Sequence, residues 1–196
     1  MAVFTLLIIW GVYYQKKIAK SRFNTIKAFA DKHSLVYEIE QLKKGVAELS
    51  GTLNAIPFHY YERRMPLTDP DNPVFWTVLQ FDKSAFDFNF KISQEVGFMK
   101  AAKVVGFNDV LLGEKVVDDA FYFQTDSPEK LKSVFTTEKQ QELLQIKEHL
   151  NGIVNNNSNE NTFTYYYFGR IQQAFQIAPV EEVLAFMTKI QPNKPA

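Results

Sequence analysis

The most constraining feature of this chain lies at its start. Ala2 to Tyr14 (AVFTLLIIWGVYY) carries no charge, and Gln15-Lys16-Lys17-Ile18-Ala19-Lys20-Ser21-Arg22 follows at once. Wound as a helix, the apolar run measures about 20 Å, against a bilayer hydrocarbon core of ~30 Å. Counting through Ile18, with Lys16 and Lys17 bending their ammonium groups towards the headgroups, extends it to about 27 Å. The expectation is therefore a single-pass transmembrane anchor over residues 1–18, centred on Leu6, Leu7, Ile8, Ile9 and Trp10. The alternative is a helix docked in a groove of this protein or a partner. Lys16, Lys17, Lys20 and Arg22 all follow the run, and no acid appears before Asp31. The positive-inside bias then places the C-terminal bulk on the cytoplasmic side of the membrane. No positive region precedes the run and no small-residue cleavage site follows it, so removal as a signal peptide is not expected.

The same helix continues with a different purpose. Ile18, Arg22, Ile26, Phe29 and His33 fall at helical spacing, with Phe23 and Ala30 beside them. Residues 19–34 thus read as an amphipathic juxtamembrane extension, giving one long helix over residues 2–33. The rest, residues 35–196, reads as a single domain, since no repeat or long linker divides it.

Composition removes several classes of function. There are 22 Lys+Arg against 22 Asp+Glu and no cysteine among 196 residues. The absent cysteine excludes a disulfide framework, a thiol nucleophile and a cysteine-ligated metal. A zero net charge argues against nucleic acid as the main partner, because a phosphate-binding footprint needs a basic surplus.

The body alternates strands and helices in blocks. Phe86, Phe88, Phe90 and Ile92 alternate with polar residues, which predicts a half-buried strand, and Val74–Phe81 before it predicts its hairpin partner. Val46–Leu53 and Phe58–Arg64 flank Asn54-Ala55-Ile56-Pro57 as a second hairpin. Thr68 to Pro73 is proline-rich and reads as a surface loop. Val116–Thr125 and Phe163–Ile171 are further strand candidates. Ser127-Pro128 opens a helix, Thr137-x-x-Gln140 resembles a capping box, and the asparagine-rich stretch 155–161 reads as a mobile loop. Pro179 opens a last helix striped by Val180, Val183, Leu184, Met187 and Ile190. Strands first and helices later predict an α+β fold, a mainly antiparallel sheet packed with C-terminal helices.

Chemical motifs are sparse. The glycines match no nucleotide-binding spacing, and His33, His59 and His149 lie far apart, so neither cofactor nor metal is expected. Asp118-Asp119 is the best acidic pair, although neighbours on a strand point to opposite faces and cannot share acid–base work. Asp69-x-Asp71-Asn72 lacks the glycine and distal glutamate of a calcium loop. Tyr165-Tyr166-Tyr167-Phe168 with Arg170 has the aromatics to stack bases or grip a peptide, but sheet packing accounts for them better. His59, Glu62, Arg63 and Arg64 form a polar cluster on one strand, a possible partner surface.

The stretch from Gly113 to Lys130, with Leu131 and Thr137 to Leu144, resembles a segment of uncharacterised bacterial membrane-anchored α+β proteins. There an acidic-aromatic strand leads into a capped short helix and then a leucine-rich one. The resemblance covers residues 108–150, and Val117 stands where an aromatic is more usual. It implies a bacterial origin and a membrane-tethered domain, and transfers no activity. The functional expectation is a single-pass accessory domain at the bacterial inner membrane that binds a protein partner. An enzyme with a site around Asp118 or Asp119, and a membrane-proximal lipid-binding module, are the alternatives.

Overall fold

The computed structural model describes residues 2–64, 74–94 and 110–191, with side chains from Trp10 onward. The loop from Thr68 to Pro73, with its Asp69, Asp71 and Asn72, lies outside the described residues, as do the side chains of Leu6, Leu7, Ile8 and Ile9. The architecture is α+β: an N-terminal helix, an eight-stranded antiparallel sheet and C-terminal helices.

Helix α1 runs Ala2–Lys32. Its second half docks, because Arg22, Thr25, Ile26, Phe29 and Ala30 recur at helical spacing and are all buried. The stretch before it is different. From Val12 to Lys17 every side chain is exposed, as are Lys20 and Trp10. Among the described residues no helix is long and apolar enough to cross a membrane. This corrects the transmembrane span expected over residues 1–18: Trp10, Gly11, Tyr13, Tyr14, Gln15 and two lysines dilute any stretch that reaches the length of a bilayer.

Strands β1 (Val36–Tyr37), β2 (Glu48–Leu53), β3 (Ile56–Arg64), β4 (Phe75–Phe81), β5 (Phe90–Gln94), β6 (Phe121–Thr125), β7 (Gly152–Asn157) and β8 (Thr162–Phe168) form one sheet. Their spatial order is β1-β2-β3-β4-β8-β7-β5-β6. The hairpin β2–β3 turns on Asn54 and Ala55 alone, both at positive φ (52° and 63°), the backbone that a tight two-residue turn requires.

The expected hairpin of β4 with β5 does not form. Strand β4 pairs with β3 and β8, while β5 pairs with β7 and β6. Phe86 and Phe88 are buried as their alternation predicts, yet they lie before the strand. Two polar contacts hold this stretch off the ladder: the Phe86 N–H donates to Ser84 Oγ at 3.0 Å, and the Asn156 amide donates to the Phe88 carbonyl. The chain crosses the sheet end here, and β8 and β7 fill the space between β4 and β5.

Strand β7 is the element that its composition hides. Residues 152–157 form a strand, not the start of a mobile loop, and Asn156 is only 1% exposed because its amide is paired with Phe88 and Ser84. Gly152 permits the close pairing with β8, since a Cβ there would lie 2.0 Å from the Tyr166 carbonyl oxygen.

The helices cover one face of the sheet. They are α2 (Ile39–Lys43), α3 (Lys115–Asp118), α4 (Pro128–Val134), α5 (Thr137–Gln145) and α6 (Ile177–Ile190). The strand expected over 116–125 is thus a helical turn followed by β6. The capping box is not made either: Thr136 precedes α5, and the Gln140 amide donates to the Phe135 carbonyl at 2.8 Å. Helix α6 buries Val180, Val183, Leu184, Met187 and Ile190, all five residues of its predicted stripe. Phe90 packs edge-on against Phe163 within the sheet and against Phe135 at the end of α4, which brings phenylalanines from both halves of the body into one core.

Candidate binding face of the sheet

Because successive strand residues point to opposite faces, the sheet presents two different surfaces. On β8, Phe163, Tyr165 and Tyr167 enter the helix-covered core, whereas Tyr166 and Phe168 stand on the opposite face, which no described helix covers, although Thr164 between them and the turn is buried there too. The register carries that face across six strands. One row is Tyr61, Val78, Tyr166, Ile153, Ser93 and Tyr122. The next is His59, Gln80, Thr164, Asn155, Lys91 and Gln124. An aromatic and aliphatic row therefore lies beside a polar one.

Trp76 extends the aromatic row, with ring centroids 5.6 Å from Tyr166 and 5.7 Å from Phe168. Beside it a concavity of about 490 Å³ is lined by Trp76, Tyr166, Arg63, Lys91 and a group of asparagines. A second hollow of about 270 Å³, lined also by Asp126, adjoins it through Asn89, Lys91, Asn155 and Asn156. Among the described residues neither Arg63 nor Lys91 has a carboxylate partner, and no acid lines the larger hollow.

Strand alternation divides the polar cluster expected on β3. His59 and Arg63 belong to the open face, and His59 Nε2 lies 2.8 Å from Asp82 Oδ2. Glu62 turns the other way and is buried, with its side chain 6% exposed. There it meets Arg22 Nη2 at 2.6 Å and Arg170 Nε at 2.8 Å. Arg22 also donates to the Gly45 carbonyl at 2.8 Å, and Arg170 stacks over Phe75 at 3.6 Å. Arg22 is thus a bolt between α1 and the sheet, whereas Lys16, Lys17 and Lys20 are exposed. Arg64 lies on the same side of β3 as Glu62.

Of the acidic pair, Asp118 has a structural task. Asp118 closes α3, and its carboxylate accepts the Leu112 and Gly113 N–H groups at 2.8 and 3.0 Å, while Asp119 is exposed. Strand β3 with His59 lies five positions from β6 in the sheet, about 24 Å at ordinary strand spacing. Each histidine meets its own carboxylate: His33 with Glu181 at 2.8 Å, His149 with Glu182 at 2.6 Å, and His59 with Asp82. Among the described residues no three metal-ligating side chains gather.

Two buried tyrosines flank this architecture on the core side. Burial, with the nearby Glu62 charge, raises the Tyr60 hydroxyl far above its usual value, and burial does the same to Tyr165. The open face went unrecognised in the sequence, although its signal was there: Tyr166 and Phe168 are two apart, and so are Asn155 and Asn157. Comparison with protein-family models, with curated proteins and with solved structures finds no match.

Proposed function

We propose that this protein is a membrane-attached accessory domain: the N-terminal end of α1 holds it to the bacterial cytoplasmic membrane, and the open face of the sheet receives a protein partner. The observation that carries this reading is the contrast along α1. The helix buries its stripe from Arg22 onward and leaves Trp10 and Tyr13 about two-thirds exposed (64% and 66%). An uncharged end followed by Lys16, Lys17 and Lys20 matches the layering of an anionic bilayer, with apolar residues in the acyl region, aromatics at the boundary and cations at the headgroups. An apolar end about 20 Å long reaches into the hydrocarbon without crossing it. The resemblance over residues 108–150 implies the same tethered setting. No observation favours acid–base work at Asp118 or Asp119, since the carboxylate of Asp118 is engaged by backbone N–H groups.

Flotation of the full chain with lipid vesicles tests the attachment. The expected result is co-flotation with phosphatidylglycerol-containing vesicles, a blue shift of Trp10 emission in the Trp76→Phe chain, and weaker binding after Lys16→Gln, Lys17→Gln and Lys20→Gln together. A chain that stays in the soluble fraction with anionic vesicles at low salt overturns it.

A further inference from the structure

We propose that the hollow beside Trp76 takes an acidic, aromatic-containing peptide segment in extended conformation. This rests on the partner-binding reading and names the chemistry of the partner. Three features of the face select this occupant. The first is charge: Arg63 and Lys91 line one hollow with no carboxylate among its described lining residues, while Asp126, engaged by the Asn89 N–H and amide, lines the adjoining one. A local cationic pair on a chain of zero net charge suits a few carboxylates better than a phosphate polymer, whose binding needs a broad basic footprint.

The second feature is the asparagine amides. Asn155 and Asn157 are two residues apart on β7, so their amides repeat at about 6.8 Å, the two-residue repeat of an extended peptide. A primary amide offers a donor and an acceptor, as a peptide bond does. Asn157 accepts the Asn159 and Glu160 N–H groups on its oxygen at 3.2 and 3.3 Å, and among the described residues its NH₂ group has no acceptor, so it can donate to a carbonyl. The third feature is the pair Trp76 and Tyr166, tilted at 56° with an apolar side towards the hollow, a seat for an aromatic side chain of the ligand.

The protein has two tryptophans, Trp10 and Trp76, so Trp10→Phe leaves Trp76 as the sole indole reporter at the site. Full-length Trp10→Phe protein, without lipid, is titrated with a random copolymer of glutamate and tyrosine while tryptophan emission is followed. The expected result is a saturable change that weakens with salt. Arg63→Gln and Lys91→Gln, both exposed and remote from the core, each reduce affinity about fivefold while the circular dichroism spectrum is unchanged. Absence of a saturable change overturns the proposal, as does equal binding of a lysine–tyrosine copolymer or indifference to both substitutions. Saturation by oligothymidylate or polygalacturonate in place of the acidic copolymer also overturns it, and assigns the face to single-stranded nucleic acid or to an acidic glycan. Vesicle flotation reads the membrane attachment separately, so a failed titration with successful flotation removes this proposal alone.

Discussion

The two faces of strand β8 are made from nearly the same residues and serve opposite ends. Tyr165 and Tyr167 disappear into the core, while Tyr166 and Phe168 remain on the surface one residue away. What separates them is cover: among the described residues helices pack on one side of the sheet only, and on the other side, although Val78, Thr164 and Tyr122 are buried, the exposed or partly exposed positions carry cations, amides and aromatics together. Aromatic content by itself therefore says nothing of function. The neighbours of each ring decide whether it holds the fold together or is available to a ligand.

Substitutions on the covered face have the largest expected effect. Phe163→Ala removes a ring packed against both Phe86 and Phe90, and should cost about 3–5 kcal/mol in chemical denaturation. Glu62→Gln should cost about 3 kcal/mol, because it leaves Arg22 and Arg170 without their shared carboxylate in a buried setting. It should also loosen α1, which hydrogen exchange of the Arg22–Ala30 amides would report. If Glu62→Gln is silent, α1 is held by its apolar stripe alone.

The pH dependence extends the comparison to solution conditions. Burial raises Tyr60 and Tyr165, so the folded state keeps protons that the unfolded chain releases above its ordinary value of 10.0. The corresponding stability is present below about pH 10 and is lost as pH rises further. Thermal melting between about pH 8 and pH 11 should show this loss, reduced in Tyr60→Phe. At the acid end the effect is smaller. Burial pushes the Glu181 carboxyl up, but hydrogen bonds and charge from Lys32 and His33 outweigh it and leave it below its ordinary 4.5. Its contribution is present above that value and fades as pH falls through the lowered one. Glu181→Gln should flatten the acid limb of the melting curve slightly.

Much of the covered side was legible in the sequence because its signals are local. The stripes of α1 and α6 repeat every three to four residues, and the Asn54-Ala55 hairpin lies between two adjacent apolar runs. Strand β7 was missed for a physical reason. Its buried side chain at Asn156 is an amide whose partners, Ser84 and the Phe88 carbonyl, are about seventy residues away. The pairing of β4 with β8 is equally non-local. The open face depends on both, since only the final strand order places Lys91 beside Asn155 and Tyr166 beside Val78. Alternation could show that Tyr166 and Phe168 share a side, and not that among the described residues no helix packs on it.

Denaturant unfolding of the pair Tyr165→Ala and Tyr166→Ala, in otherwise identical full-length chains, tests the division of the sheet most directly. The prediction is a loss of about 3 kcal/mol for Tyr165→Ala and less than about 1 kcal/mol for Tyr166→Ala. Equal losses would mean that the second face is also part of the protein's own core, and would contradict its assignment as a binding surface.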